Sequence, residues 1–208
     1  MKKVIAVMAL LVSGVVAGAY QLYQFVPVPI ATAVISEKPG KTMGGTNAVL
    51  LPETLSDHQA RLLNSAYTTA KDVGFKNPEV VQAILLQETK AGGMKTYKVA
   101  NAGPEAYFGP MQVKLAATRD VLAKHPTLWQ KYGFQTKTDD EVKANLILNE
   151  QFNIEVGARY LMILQTQYGY TGKALMMAYN KGAGGVEGAG TGYADAATAK
   201  LAAYKKKS

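Results

Sequence analysis

The amino-acid sequence predicts an all-α fold, built as a single helical domain, and three observations support this class. From Ser56 onward, apolar residues recur at the three- and four-residue spacing of one helix face. Capping residues and glycine or proline breaks separate these periodic segments at helical lengths. No stretch alternates apolar and polar residues strongly enough to indicate a strand. With 48% hydrophobic and 18% charged residues among 208, the chain is globular and large enough for a core.

The individual helices are predicted from their caps and breakers. Ser56-Asp57-His58-Gln59 and Thr138-Asp139-Asp140-Glu141 have the capping-box pattern. Asn77-Pro78 places an N-cap before a proline at the first helical position, and Gly92-Gly93 follow that helix. The predicted segments are 56 to about 70, 78–89, 111–124, a short turn at 127–132, 139–146, 150–168, 173–179 and 193–207. Gly157 lies inside the longest helix, where glycine costs about 1 kcal/mol against alanine, so we expect a close helix crossing there.

The N-terminal residues have the three parts of a secretory signal. Lys2-Lys3 precede the apolar run Val4–Val16, and Ala17-Gly18-Ala19 is a cleavage site that would leave Tyr20 as the new N-terminus. Residues 1–19 are therefore predicted to be a signal peptide, and residues 20–55, rich in proline and glycine, a tether. The alternative is an uncleaved inner-membrane anchor at residues 4–19. Both interpretations predict an exported, periplasmic protein.

The net charge of +8 comes from 23 basic and 15 acidic residues, but much of the excess is terminal. Without Lys2-Lys3 and Lys205–Lys207, 18 basic residues remain against 15 acidic ones. Such a weakly basic domain lacks the clustered lysine and arginine of a nucleic-acid-binding protein, so no nucleic-acid partner is predicted. The absence of cysteine excludes disulfides, a thiol nucleophile and a lipoprotein attachment site. No metal-binding motif appears, and the sequence predicts neither a metal nor a cofactor.

Glu88 is the first candidate catalytic residue. It shares one helix face with Val81, Ile84 and Leu85, at the end of the helix predicted over residues 78–89. Desolvation and the negative end of the helix dipole both disfavour the ionised carboxylate, so its pKa should be raised. A carboxylic acid that stays protonated near neutral pH is what general acid catalysis requires. The alternative is a solvated glutamate at a frayed helix end.

Four short motifs extend this interpretation to a family. They are Gln87-Glu88-Thr89, Gly109-Pro110-Met111-Gln112, Asn153-Ile154-Glu155-Val156-Gly157 with Tyr160-Leu161, and Ala178-Tyr179-Asn180-Lys181-Gly182. In this order, with helical intervals, they resemble the soluble-type lytic transglycosylase catalytic domain of the goose-type lysozyme superfamily. The resemblance covers about residues 56–187 and implies a lysozyme-like helical domain with a groove. Residues 188–208 are then a glycine-rich segment and a basic C-terminal helix or tail.

The resemblance implies a role for each matched residue. Glu88 would be the catalytic acid and base, Gly109, Met111 and Gln112 would line the sugar groove, and Tyr179 and Asn180 would close the site. Thr89 stands where the family usually has serine, which keeps a hydroxyl beside the substrate. The family cleaves the β-1,4 bond between N-acetylmuramic acid and N-acetylglucosamine in peptidoglycan without water, which leaves a 1,6-anhydro product. One carboxylate is enough for this reaction, whereas a hydrolytic glycosidase normally needs two.

The loop before Gly109 departs from the family pattern. Pro110 replaces a leucine, which fixes φ and removes a backbone donor. The interval from Glu88 to Gly109 is longer than expected, and Tyr107 and Phe108 stand where the family has small residues. These two aromatic side chains could stack on sugar faces or pack in the core, and the sequence favours neither.

Two other functions are compatible with the same residues. A lysozyme-like muramidase would use Glu105, Asp139 or Asp140 to assist an attacking water. A non-catalytic wall-binding module of an envelope assembly would not need Glu88, Gln112, Tyr179 and Asn180. The leading interpretation is a lytic transglycosylase that acts on peptidoglycan glycan strands. A short exported enzyme of this kind fits local wall opening for a secretion, conjugation or pilus apparatus, or for a phage.

Overall fold

The computed structural model describes residues 55–93, 106–188 and 190–206, all within one compact unit, Thr46–Ser208. The signal peptide and almost all of the tether predicted from the sequence lie outside the described residues. Within the part that is described, no helix combines the length and apolar character needed to cross a bilayer.

The all-α prediction is confirmed, because helices account for most of the described chain. The helices are α1 Asp57–Asp72, α2 Pro78–Thr89, α3 Leu115–Lys124, α4 Thr127–Lys131, α5 Asp139–Leu148, α6 Glu150–Tyr168, α7 Gly172–Lys181 and α8 Gly192–Lys205. A short 3-10 turn, Ala183–Gly185, follows α7, and two strands, β1 Tyr107–Phe108 and β2 Val113–Lys114, form an antiparallel pair.

Helix α6 is the centre of the domain. Its N-cap is Asn149, whose side chain accepts a hydrogen bond from the Phe152 backbone N–H, and every residue from Phe152 to Ala158 is buried. Helices α1, α3, α5 and α7 all pack against it. Because all sides of this segment are covered, α6 is the rigid element on which the candidate site is built.

The glycine in α6 marks a close approach, although not the helix crossing that the sequence predicted. A Cβ on Gly157 would lie 3.0 Å from Cε of Met111 and 3.2 Å from the hydroxyl oxygen of Tyr179. The groups that use this space are therefore two side chains, one from the β1–β2 turn and one from α7, rather than the backbone of a crossing helix. Both side chains belong to motifs that the sequence singled out.

Helix α2 has the bounds predicted from the sequence, but its two ends differ in detail from the expected caps. Lys90 and Ala91, with φ of 52° and 54°, adopt the left-handed conformation directly after the helix, ahead of Gly92-Gly93. The Asn77 side chain makes no capping hydrogen bond at the other end. The predicted capping box of α1 is present, and its Gln59 side chain also donates to the Lys90 carbonyl at 2.6 Å. That bond holds the strained end of α2 against α1.

The third helix begins at Leu115, four residues later than the sequence prediction of Met111. Residues 109–112 instead form a turn, in which the Gln112 N–H donates to the Gly109 carbonyl at 3.0 Å. Both end residues have positive φ, +68° at Gly109 and +48° at Gln112. The prediction was wrong here because long-range partners, described below, hold the turn and override the local helical pattern.

Helix α8 is part of the same helical domain. The sequence places residues 188–208 outside the catalytic domain, but α8 packs against both α2 and α7. Ala194 and Ala197 are fully buried. Ion pairs hold the helix at both ends, from Lys173 to Asp195 at 2.7 Å and from Lys205 to Glu79 at 3.0 Å. The described domain therefore continues to Lys205.

Candidate active site

Glu88 lies in the last turn of α2, where its neighbours Val81, Ile84 and Leu85 are fully buried as predicted. Burial raises the pKa of the Glu88 carboxyl above its ordinary value. A hydrogen bond from Tyr193 and the positive charge of Lys200 lower that pKa, but burial is the larger effect. Glu88 is therefore shifted towards the acid form, as a general acid requires.

The closest polar partner of Glu88 comes from α8. The Tyr193 hydroxyl donates to Oε1 of Glu88 at 2.5 Å, across 105 residues of sequence. Burial and the Glu88 charge both raise the pKa of Tyr193, which keeps its hydroxyl protonated and able to donate. This bond occupies one carboxylate oxygen and leaves the other, Oε2, for chemistry.

The sequence analysis missed Tyr193. The one signal that could have indicated it is composition, because Tyr193 is the large residue in Gly192-Tyr193-Ala194 at the start of an alanine-rich helix. A bulky aromatic among residues too small to fill space suggests a specific contact. Lys200 lies further along α8, and its ammonium group donates to the Gln87 carbonyl at 3.4 Å.

Tyr179 is buried, and its hydroxyl donates to the Met111 carbonyl at 2.8 Å. Burial raises the pKa of Tyr179, and the nearby Glu88 charge raises it further. Its single proton is used on Met111, so the direct hydrogen bond to Glu88 is supplied by Tyr193 instead. Through this hydrogen bond Tyr179 holds the turn at residues 109–112 in place.

Asn153 on α6 holds the same turn from the other side. Its Oδ1 accepts from the Met111 N–H at 2.8 Å, while its Nδ2 donates to the carbonyls of Phe108 at 2.8 Å and Leu146 at 3.2 Å. A Cβ on Gly109 would lie 2.2 Å from the Leu146 carbonyl oxygen, so only glycine fits there. Gly109 and Met111 are both buried. Their predicted role as groove-lining residues is corrected. The Met111 side chain lies in the core, and Gly109 is buried where the turn leaves no room for a side chain.

Thr89 is 1% exposed and does not face the groove. Its hydroxyl donates to the Pro110 carbonyl at 2.8 Å and accepts from the Gly92 N–H at 2.9 Å. The predicted contact between this side chain and substrate is corrected, because both hydrogen-bonding functions of the hydroxyl are used inside the protein. Thr89 ties the end of α2, and hence Glu88, to the turn.

Replacing Thr89 by valine should lower the free energy of unfolding by about 1–3 kcal/mol, because two buried polar groups lose their partner while the shape is kept. Thr89→Ser, which keeps the hydroxyl, should retain both hydrogen bonds. Thr68→Val is the control, since Thr68 is exposed and bonds only within its own helix. Urea unfolding decides the matter, and equal stability of Thr89→Val and Thr68→Val would contradict the role given to the hydroxyl.

An open cleft beside Tyr179 contains part of the predicted groove, and Glu88 is not among its lining residues. Its walls are Tyr107, Gln112, Val113, Lys114, Ala117, Tyr160, Tyr179, Asn180, Lys181 and Gly182. The structure therefore brings Gln112, Asn180 and Tyr107 together here, and their contact with substrate stays a prediction.

The two aromatic residues of β1 face opposite ways. Tyr107 is 42% exposed and lies in the cleft, whereas Phe108 is 1% exposed and belongs to the core. Successive side chains in a strand point to opposite faces, so only one of the pair can reach the cleft. Of the two roles that the sequence left open, Phe108 has the core-packing one, and Tyr107 alone remains a candidate for sugar stacking.

Two of the three carboxylates considered for a hydrolytic mechanism, Asp139 and Asp140, lie elsewhere. Asp139 pairs with Arg119, and Asp140, whose side chain is 96% exposed, pairs with Lys143. Neither lines the cleft. Glu105 lies outside the described residues.

The raised pKa of Glu88 predicts a pH-dependent stability. Between the ordinary value of 4.5 and its raised pKa, the folded chain binds more protons than the unfolded chain, so the free energy of unfolding falls as pH rises. Glu88→Gln carries no such penalty. The stability of the variant relative to the parent should therefore grow as pH rises above 4.5 and then level off. Urea unfolding over a pH series checks this, and a difference independent of pH would contradict it.

One known family model matches part of the chain. Residues 127–202 match the family model of the transglycosylase SLT domain, a stretch that contains Tyr179, Asn180 and Tyr193. Glu88 and the turn at residues 109–112 precede the matched stretch. No curated protein and no solved structure matches the chain. The family match confirms the resemblance to the lytic transglycosylase catalytic domain of the lysozyme-like superfamily, a domain type that acts on peptidoglycan.

Proposed function

We propose that this protein is a peptidoglycan lytic transglycosylase that leaves 1,6-anhydro-N-acetylmuramic acid at the cut. The observation that supports it most is the pairing of Glu88 with Tyr193. A half-buried carboxyl with a raised pKa is suited to give a proton, and the hydrogen bond from Tyr193 to one of its oxygens orients and stabilises the carboxylate that this leaves.

The proposed reaction uses Glu88 twice. Glu88 first protonates the oxygen of the scissile β-1,4 bond, and the bond from that oxygen to C1 of the muramyl residue breaks. Positive charge then develops on the sugar beside the new carboxylate, which Tyr193 and Lys200 stabilise. The carboxylate takes the proton of the C6 hydroxyl, O6 bonds to C1, and Glu88 is again an acid. No water is consumed.

A hydrolase would need a second carboxylate to activate or replace water. Among the described residues, no second carboxylate contributes to the shifted pKa of Glu88, and neither Asp139 nor Asp140 lines the neighbouring cleft. This favours the lyase over a muramidase. The intact acid and its tyrosine favour an enzyme over a non-catalytic wall-binding module.

Product analysis tests the proposal. Purified sacculi are incubated with the full chain. The masses of the soluble muropeptides are then measured by mass spectrometry before and after borohydride reduction. The lyase predicts products one water lighter than hydrolytic ones, with muramyl ends that borohydride does not reduce. Reducible ends would identify a hydrolase, and in that case Glu105→Gln would show whether Glu105 supplies the second carboxylate.

The N-terminal sequence supports export to the periplasm, and hence a role in local wall opening for an envelope-spanning apparatus or a phage. We expect the exported chain to begin at or near Tyr20, because small residues at Ala17-Gly18-Ala19 follow an apolar run. Intact-mass measurement of the periplasmic protein checks this. Recovery of the full-length chain in the inner membrane would instead identify residues 4–19 as an anchor.

A further inference from the structure

Helix α8 supplies two polar groups to the end of α2 that carries Glu88. The Tyr193 hydroxyl donates to Oε1 of Glu88 at 2.5 Å, and the Lys200 ammonium group donates to the Gln87 carbonyl at 3.4 Å. Both groups reach α2 because α8 packs on it. The arrangement around the candidate acid therefore depends on how firmly α8 is held.

The apolar contacts that hold α8 are small. Its buried residues are two alanines, Ala194 and Ala197, while its larger apolar side chains, Tyr193, Leu201 and Tyr204, are only partly buried. The free energy gained by burying a side chain scales with the apolar area removed from water, and alanine has little to remove. Helices α2 and α6, in contrast, bury isoleucine and leucine side chains completely. Helix α8 is therefore anchored more weakly than the helices that form the core.

The ends of α8 add little to this anchoring. Lys173 pairs with Asp195 and Lys205 pairs with Glu79, but these four side chains are between 48% and 60% exposed, and surface ion pairs contribute little. The Thr191 side chain, at the N-cap, makes no capping hydrogen bond. A free helix of 14 residues is only marginally stable in water, so α8 should lose its backbone hydrogen bonds whenever it leaves α2.

The connection from α7 to α8 has room to bend. The Tyr170 hydroxyl donates to the Ala183 carbonyl at 2.5 Å, which fixes the 3-10 turn after α7. Beyond that turn, a Cβ on Gly188, Gly190 or Gly192 would meet no described atom within 4 Å. Glycine adopts many backbone conformations, and here it has open space in which to change them. These three glycines are therefore suited to act as a hinge.

We propose that α8 docks on α2 and leaves it as a unit, hinged at the glycines that precede it, and that the chain cleaves glycan strands only while α8 is docked. The second part rests on the proposed function, in which Glu88 is the acid. Undocking takes the Tyr193 hydroxyl away from Oε1 of Glu88 and the Lys200 ammonium group away from the end of α2. The core around α6 stays folded, so the chain switches off without unfolding.

Amide hydrogen exchange of the full, unsubstituted chain tests the opening itself. Because local opening needs less free energy than global unfolding, α8 amides should exchange at least about 10-fold faster than the buried amides of α6. Their exchange should also depend less on low concentrations of urea, since undocking one helix exposes less surface than unfolding the domain. Equal rates and an equal urea dependence in α8 and α6 would overturn the inference.

A matched pair of variants tests the link to cleavage. Ala197→Gln forces a larger polar side chain between α8 and α2, which should raise the ratio of undocked to docked chain by about 10²-fold. Exchange of α6 should be unchanged, and cleavage of sacculi should fall in proportion to the docked fraction that exchange of α8 reports. Ala199→Gln is the control, because Ala199 is exposed on the same helix. That variant should keep the exchange and the cleavage rate of the parent.

Three results with these variants would overturn the inference: α8 exchange unchanged by Ala197→Gln, equal effects of the two substitutions, or full cleavage by a chain whose α8 amides have lost protection. Loss of protection in α6 as well would also contradict it, because α8 would then not open as a separate unit. Exchange is measured without substrate, so it does not depend on the reaction. Hydrolytic products from the unsubstituted chain would overturn the proposed function alone, and anhydro products with cleavage independent of docking would overturn the switch alone.

Discussion

Glu88→Gln should reduce the release of soluble muropeptides from sacculi by on the order of 10²- to 10⁴-fold, the usual contribution of general acid–base catalysis. The amide keeps the shape of the side chain and removes the transferable proton. It also removes a group whose pKa burial has raised, so the fold should be kept and the free energy of unfolding should be equal or higher.

Turnover and unfolding measured on the same preparation separate these two effects. The matched control is Glu79→Gln at the other end of α2, which breaks only the surface ion pair to Lys205. That variant should cleave sacculi like the parent. Cleavage by Glu88→Gln near the parent rate would remove Glu88 from the mechanism, whereas a loss in both variants would point to damage to the helix.

Tyr193→Phe should lower the single-turnover rate on saturating glycan strands by about 10²-fold, because loss of one preorganised donor costs about 2.7–4 kcal/mol in comparable sites. The ring remains, so packing of α8 on α2 should be preserved. Without the hydroxyl, the larger of the two influences that lower the pKa of Glu88 is lost, and only that of Lys200 remains. The alkaline limb of the pH–rate profile should therefore move to higher pH.

The shift in the pH profile is the diagnostic result, since a tyrosine that only packs would not produce it. Tyr168→Phe, on a side chain that is 56% exposed, is the control and should change neither rate nor profile. Affinity measured in the Glu88→Gln background should change little in Tyr193→Phe. Weakened affinity with an unchanged rate would make Tyr193 a groove residue and not a positioning residue for Glu88.

The parts of the fold that sequence analysis predicted are those set by local signals. The capping box at Ser56, the cap at Asn149 and the apolar spacing of α2 and α6 act within a few residues. The burial of the face that carries Glu88 follows from the same spacing, and so does the direction of its pKa shift. The position of Gly157 similarly predicted a close approach, because a mid-helix glycine needs a compensating contact.

The parts that it did not predict depend on partners distant in the chain. Asn153 and Tyr179 hold the turn at residues 109–112 through hydrogen bonds to Met111. No local pattern reveals that these bonds make residues 109–112 a turn and not the start of a helix. Motif resemblance named Thr89, Gly109 and Met111 but could not say that they act inside the protein. Tyr193 lies in a segment without any motif, and only the packing of α8 on α2 brings it to Glu88.

The most direct test of a single carboxylate that works without water is cleavage in oxygen-18-enriched water. The full chain is incubated with sacculi, and the new muramyl ends are examined by mass spectrometry. If Glu88 gives its proton to the leaving oxygen and then takes one from the C6 hydroxyl, every oxygen in the product comes from the substrate and no label is incorporated. Incorporation of one labelled oxygen at C1 of the muramyl end would show that water attacks there and would contradict the account.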